Sequence, residues 1–208
     1  MNRGRTFRIG VLGSGRGSNL AAIADACRAG EIPAEVAIVL SDLPEAGILT
    51  QARERGLDAD FIAPGKFRTK LDEEAERAYI SRLVDAQVDL VALAGFMRIL
   101  KGDFLRAFPL RVVNIHPSLL PAFPGLEAWK QALDCGAKVT GCTVHFVDQG
   151  VDSGPIIAQE TVPILPGDTP ATLHERIQQA ERLLYPRCLG ALAEEKVLVK
   201  GRQTVWLK

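Results

Sequence analysis

Between Phe7 and Ile115, short apolar runs of strand length alternate with segments of helical spacing, and this confines the chain to α/β architectures with a largely parallel sheet. Phe7 to Leu12 reads as a buried strand, followed by the glycine-rich Gly13 to Gly17 and a helical pattern from Ser18 to Ala29. Val36 to Leu40 predicts a second strand, Pro44 to Arg55 a helix, and Leu57 to Ile62 a short third strand ended by Pro64 and Gly65. In Asp72 to Gln87 the apolar Ala75, Ala78, Tyr79, Leu83 and Val84 share one side of a helix. Val88 to Ala94 is nearly continuous in apolar residues, as in a strand covered on both faces. A short helix from Gly102 to Phe108, a strand from Arg111 to Ile115 and a helix from Leu126 to Asp134 complete the pattern.

From Lys138 the texture changes. Lys138 to Val147 and Pro155 to Val162 are β-rich and separated by a turn-like Asp148 to Gly154, which predicts an antiparallel addition. Asp168 reads as the N-cap of a long helix to about Ala193, with Pro170 in its first turn, and Lys196 to Leu207 as a small closing hairpin. No repeat, low-complexity run or linker divides the chain, so a single domain over 1–208 is expected. The expected fold is α/β: a Rossmann-like, largely parallel twisted sheet flanked by helices, with an antiparallel β addition in the C-terminal third.

Of the 208 residues, 47% are hydrophobic and 24% charged, which suits a full globular core. Lys plus Arg equals Asp plus Glu at 25 each, so no global field draws the chain to nucleic acid or an acidic membrane, and any anion must be held locally. Val88 to Phe96 contains Asp89 and is about half the ~20 residues that cross a bilayer. Met1 to Arg8 carries three arginines but runs straight into a strand-like segment without a long apolar region, so a cytoplasmic protein without a leader is expected. Cys27, Cys135, Cys142 and Cys188 form no Cys-x-x-Cys pair and no metal-type spacing with His116, His145 or His174. Reduced, mostly buried thiols and no metal are expected.

Three polar clusters interrupt the apolar pattern. Gly13-Ser14-Gly15-Arg16-Gly17-Ser18-Asn19 lies between a strand and a helix, where backbone N–H groups and the positive helix end suit an anion such as phosphate. Ser18 stands where the dinucleotide fingerprint needs its third glycine, and no Gly-Lys-Ser/Thr follows, so neither a dinucleotide site nor a P-loop is indicated. Asp42, after the second strand, reads as a turn or cap residue before it reads as a ribose-binding acid. Asn114 and His116, at i and i+2 on the fifth strand, project to one face near its carboxyl end, where open α/β sheets place ligands. Side by side, an amide N–H and an imidazole suit a carbonyl oxygen that turns negative during acyl transfer. Gly150-Val151-Asp152-Ser153-Gly154 offers a carboxylate that would favour the charged form of His116 if the turn folds back to it; a purely structural turn Asp is the alternative. His145 reads as a packed strand residue and His174 as a helix-surface residue.

Gly15-Arg16-Gly17-Ser18-Asn19, Leu93 to Leu100 (Leu-Ala-Gly-Phe-Met-Arg-Ile-Leu), Asn114 to Pro121 (Asn-Ile-His-Pro-Ser-Leu-Leu-Pro) and Val151-Asp152-Ser153-Gly154-Pro155 occur in order across almost the whole chain. Together they resemble the glycinamide ribonucleotide (phosphoribosylglycinamide) formyltransferases of the folate-dependent formyltransferase superfamily. The resemblance implies transfer of a formyl group from 10-formyltetrahydrofolate, a co-substrate, to the substrate amine in purine synthesis, without a metal. It implies that Asn114 and His116 stabilise the oxyanion of a tetrahedral intermediate, with His116 as proton donor, and that Asp152 raises the His116 pKa. Gly17, Ser18 and Asn19 would hold the substrate phosphate, and Gln178 and Glu181 the ribose side, although those two alone read as a solvated helix face.

The implied folate contacts are Met97, Arg98, Ile99 and Leu100, Asn114, and Asp148, Gln149, Gly150, Val151 and Asp152. Arg98, otherwise a surface charge, would pair with a carboxylate of the folate tail. Lys70 stands where the family often has Arg and lacks the planar fork for bidentate carboxylate binding. Expected partners are small molecules, with no nucleic acid or membrane, and the chain is a monomer or weak homodimer. Transfer-RNA formyltransferases normally carry a further C-terminal domain and formyltetrahydrofolate deformylases an N-terminal regulatory one, for which this length leaves no room. Two other readings stay open: a formyltetrahydrofolate hydrolase, and a non-catalytic folate or nucleotide sensor on the same fold.

Overall fold

A computed structural model describes residues 5–207. The first four residues of the arginine-bearing N-terminal stretch lie outside the described residues. Two compact units are present, 1–113 and 114–208.

The first unit alternates strand and helix: β1 (Phe7–Leu12), α1 (Ser18–Arg28), β2 (Ala34–Ser41), α2 (Gly47–Glu54), β3 (Ala59–Phe61), α3 (Glu73–Asp85), β4 (Leu90–Leu93) and α4 (Gly102–Ala107). β1 pairs in parallel with both β2 and β4, and β2 in parallel with β3. Ile9, Val11, Ile38, Val39 and Val91 are fully buried, which is why these strands are apolar on both faces instead of alternating. Each such side chain withdrawn from water contributes about 1.5–3 kcal/mol. Asp72 starts α3, its side chain accepting from the Ala75 N–H at 3.0 Å, and Glu73, Glu74 and Glu76 in the first turn complement the helix dipole.

β5 (Val112–His116) contains the boundary between the units, followed by α5 (Ala128–Asp134), β6 (Val139–Phe146), β7 (Ile156–Pro163), α6 (Pro170–Ala193), β8 (Val197–Lys200) and β9 (Gln203–Trp206). The seven-stranded sheet has the order β3-β2-β1-β4-β5-β6-β7, and β8 and β9 form a separate pair. β6 and β7 are antiparallel, with an irregularity between Val144 and His145. The expected α/β sheet with an antiparallel addition is therefore the observed architecture, whereas element ends differ. α2 starts at Gly47 and not Pro44, because the Ala46 N–H closes a turn on the Leu43 carbonyl at 3.2 Å and Ala46 is extended. α5 starts at Ala128 and not Leu126, because Glu127 is left-handed at φ 53°.

Asp168 is not the N-cap of α6. Thr169 is, in a capping box with Thr172. The Asp168 carboxylate instead accepts from both Arg176 Nη atoms, at 2.8 and 2.9 Å, and from the Leu165 N–H at 2.7 Å. The Arg176 bonds, foremost, hold that carboxyl well below the usual carboxylate range.

The β6 and β7 strands approach closely at Gly141, where an added Cβ would lie 1.9 Å from the Glu160 carbonyl oxygen and 2.9 Å from Leu119 Cδ2. Backbone cannot yield as a flexible side chain can, so Gly141→Ala should destabilise the protein by about 1–3 kcal/mol. A wild-type midpoint in thermal unfolding would show that the strands are not so close.

Candidate active site

In the first unit, the glycine loop is fastened by its backbone. The Gly13 N–H reaches the Leu40 carbonyl at 3.1 Å, Ser14 N–H reaches Gly95 at 3.0 Å, and Ile48 N–H reaches Gly15 at 2.9 Å. Gly17 is left-handed at φ 89°, and a Cβ there would sit 2.8 Å from Ile48 Cα, so both conformation and space demand glycine. Gly17, the N-cap of the α1 helix that follows, has no side chain with which to cap it. Gly17 and Asn19 are buried and Ser18 half-buried.

Asp42 is neither a cap nor a simple turn residue. Buried at the end of β2, it accepts from Ser14 Oγ and from Arg98 Nε, the latter at 2.6 Å. Ser14 Oγ in turn accepts from the Met97 N–H at 2.9 Å. One carboxylate thus ties the glycine loop to the segment after β4. The same guanidinium donates to the carbonyls of Phe67 and Arg68, so Arg98 is largely buried and not a surface charge. Leu100 is buried, while Met97 and Ile99 remain exposed. Lys70 is bridged to Ile99 through the backbone and holds its ammonium 4.4 Å from the Phe67 ring centroid.

In the second unit, Asn114, His116 and Asp152 lie together, with His145 among them. His116 Nδ1 lies 3.4 Å from Asp152 Oδ2, and its Nε2 donates to the Phe123 carbonyl at 2.9 Å. Oxygen atoms therefore flank both ring nitrogens and fix the plane of the imidazole. Asp152 Oδ2 also accepts from the Gly125 N–H at 2.8 Å, and Oδ1 lies 3.7 Å from His145 Nε2. Asn114 Nδ2 donates to His145 Nε2 at 3.3 Å, and His145 Nδ1 donates to the Phe146 carbonyl at 2.8 Å. These two bonds require the neutral His145 tautomer with its proton on Nδ1. Burial, the dominant cause, lowers the His145 pKa below its ordinary 6.5.

The acidic loop is shaped by Asp148, whose Oδ1 accepts from the Gly150 N–H at 3.0 Å and from Ser153 Oγ at 2.6 Å. Gln149, Gly150 and Val151 are exposed. Asp152 itself is left-handed at φ 49°. On α6, Glu181 is buried, against the expectation of a solvated face. Gln178 is half-buried, with its Nε2 3.3 Å from His174 Nε2. His174 is not a plain surface residue either: its ring stacks on Trp129 with centroids 3.6 Å apart.

The family model described as formyl transferase matches residues 7–189. The chain belongs to the formyl transferase family. It is 39% identical over 185 residues to phosphoribosylglycinamide formyltransferase of Bacillus subtilis, covering 89% of this chain and 94% of that protein. It is 47% identical over 197 residues to the trifunctional purine biosynthetic protein adenosine-3 of Drosophila melanogaster, covering 94% of this chain but only 14% of that longer protein. Among solved structures, glycinamide ribonucleotide transformylase 1 from Symbiobacterium toebii superimposes with a TM-score of 0.94 at 50% identity, covering 99% and 96% of the two chains. A formyltetrahydrofolate deformylase from Pseudomonas syringae pv. tomato is more distant at 26% identity and a TM-score of 0.90, covering 99% of this chain and 67% of that one.

His145 is the packed strand residue expected, buried in β6, but its contacts with Asn114 and Asp152 were not foreseen. Thr143 and His145 stand at i and i+2 in β6, the same spacing that singled out Asn114 and His116. Thr143 Oγ1 bonds the Ser118 carbonyl at 2.6 Å, so Thr143 faces the loop that follows β5. Two of the four thiols are buried, Cys142 and Cys188, while Cys27 is intermediate and Cys135 exposed. Burial, foremost, pushes Cys142 and Cys188 up to about 12 and Cys27 up to about 11, so these three are poor thiolate nucleophiles at neutral pH. Among the described residues, no group of three His, Cys, Asp or Glu side chains is placed to hold a metal ion. No helix of the described residues is long and apolar enough to cross a membrane.

The depressed pKa of His145 has a sign. Below 6.5 the unfolded chain binds a proton that the folded chain refuses, so stability is full above that pH and declines as pH falls through it. Denaturant unfolding between about pH 7.5 and 5.5 should show this decline, and His145→Gln should remove part of it. Identical pH slopes in the two proteins would place the acid sensitivity elsewhere.

Proposed function

We propose that this chain is a phosphoribosylglycinamide formyltransferase that works as one formyltransferase domain in the cytoplasm, as a monomer or weak homodimer. The observation that carries the reading is the meeting of Asn114, His116 and Asp152, with His116 Nδ1 3.4 Å from Asp152 Oδ2. The names of the relatives supply the substrate class. The amine of glycinamide ribonucleotide attacks the formyl carbon of 10-formyltetrahydrofolate and gives a tetrahedral intermediate. When the bond from that carbon to N10 breaks, the proton lost by the amine ends on N10, and tetrahydrofolate leaves. The amine is itself the nucleophile, so no thiolate is needed, and no metal enters the scheme.

In this scheme Asn114 and His116 donate to the oxyanion. The imidazole N–H that the Phe123 carbonyl accepts at 2.9 Å is the one offered, with the substrate oxygen taking that carbonyl's place. Asp152 faces the other ring nitrogen and orients the imidazole. Gly17, Ser18 and Asn19 hold the ribonucleotide phosphate at a helix start whose N-cap is a glycine. Gln178 and Glu181 contact the ribose. The folate is met by exposed Met97 and Ile99, by Lys70, and by the backbone from Asp148 to Asp152. For Arg98 and Leu100 we propose a supporting part, since Arg98 is engaged with Asp42 and Leu100 is buried.

The test is an assay of the purified protein with 10-formyltetrahydrofolate, with and without glycinamide ribonucleotide, following tetrahydrofolate and the formylated amide. Donor turnover should depend on the ribonucleotide; rapid formate release that ignores it would establish the hydrolase instead. Asn114→Ala and His116→Ala should each lose at least about 10²- to 10³-fold in kcat, and the double variant far less than their product. Near-normal turnover of His116→Ala would move the chemistry elsewhere.

Gly17→Asp places a carboxylate and a side chain where backbone N–H groups would meet phosphate, so ribonucleotide affinity should fall sharply while folate affinity is largely kept. Equal loss of both ligands in calorimetry, or loss of neither, would contradict the phosphate assignment.

A further inference from the structure

The family match ends at residue 189, yet the hairpin of β8 and β9 beyond it is joined to the segment that carries Asp152. The two-residue connection Gly201-Arg202 has Gly201 at φ 63°, a backbone open to glycine at the first position of a tight hairpin turn. This puts Arg202 at the tip. Thr204 and Trp206 alternate along β9 and share one face, and Arg202 in the turn reaches toward the same segment.

Each of the three donates to a backbone carbonyl just after Asp152. Arg202 Nη2 reaches Ser153 O at 2.7 Å, Thr204 Oγ1 reaches Ile156 O at 2.7 Å, and Trp206 Nε1 reaches Ile157 O at 2.9 Å. The Arg187 guanidinium of α6 lies 5.5 Å from the Trp206 ring centroid and ties the hairpin to the long helix. β7 is an edge strand, whose outward backbone groups have no neighbouring strand to bond.

Asp152 needs such support. A left-handed conformation at a non-glycine residue is strained and persists only where its surroundings over-determine it. Upstream, Asp148 Oδ1 fixes Gly150 N–H and Ser153 Oγ, and the Gly125 N–H holds the Asp152 carboxylate itself. Downstream, Phe146 N–H takes the Pro155 carbonyl at 2.9 Å, and the hairpin takes the carbonyls on either side. We propose that Arg202, Thr204 and Trp206 are positioning residues that hold the Asp152 loop in register with His116. This rests on the catalytic part assigned to Asp152 in the proposed function.

The test compares wild type with Arg202→Ala, Arg202→Lys and the double variant Arg202→Ala/Trp206→Phe, in which the phenyl ring preserves packing but gives no N–H. All should keep the wild-type circular dichroism spectrum. Loss of one net hydrogen bond should lower kcat about three- to tenfold in Arg202→Ala, with the KM for ribonucleotide changed less than about twofold. Arg202→Lys should recover most of the loss, and the double variant should fall further. In parallel, the ¹⁵N shifts of the His116 ring should move in the double variant, because they report the contact of Nδ1 with Asp152 whether or not the protein is active. A folded double variant with kcat within about twofold of wild type, or with unmoved His116 ring resonances, overturns the brace. An inactive wild type would count against the reaction alone, leaving the resonances to judge the hairpin.

Discussion

The second unit is organised around one carboxylate. Asp152 accepts from the Gly125 N–H, faces His116 through one oxygen and His145 through the other, and does so from a left-handed backbone. An enclosed carboxylate is tolerable only when paired or hydrogen-bonded, so these contacts are conditions of folding as much as features of a site. The loop after β5, which supplies the Gly125 N–H, and β5 itself, which supplies His116, meet it for that reason.

Asp42 has the equivalent place in the first unit. It is nearly inaccessible to solvent and meets a guanidinium and a hydroxyl from segments distant in sequence. Removing either charged partner would leave the other buried alone, a far larger penalty than the pair's net contribution to stability. The shape of the glycine loop therefore depends on Ser14 and Asp42 as well as on its glycines.

Much of this was legible in the sequence because it is periodic or local. Apolar runs fixed the strands, the break in texture at Lys138 marked the antiparallel pair, and the polar i and i+2 positions of β5 pointed to Asn114 and His116. Interactions between distant residues were not legible. Arg98 read as a surface charge because nothing in its neighbourhood announces a carboxylate 56 positions away. Glu181 read as solvated because helical spacing gives a face but not what covers it. Element ends moved where a single backbone angle decided them, as at Glu127, and the cap of α6 passed to Thr169 because Asp168 was taken by Arg176.

The proton on His145 Nδ1 settles the orientation of a neighbouring amide. With Nδ1–H given to the Phe146 carbonyl, Nε2 offers only a lone pair, and Asn114 must turn its nitrogen toward it. Of the two amide hydrogens, one is consumed there and one is left to point elsewhere. A doubly protonated His145 would invert the preference, drawing the Asn114 oxygen toward Nε2 and exchanging the polarity of the amide's free end. Because burial disfavours that charged ring, the side chain is held to a single sense of rotation without any covalent restraint.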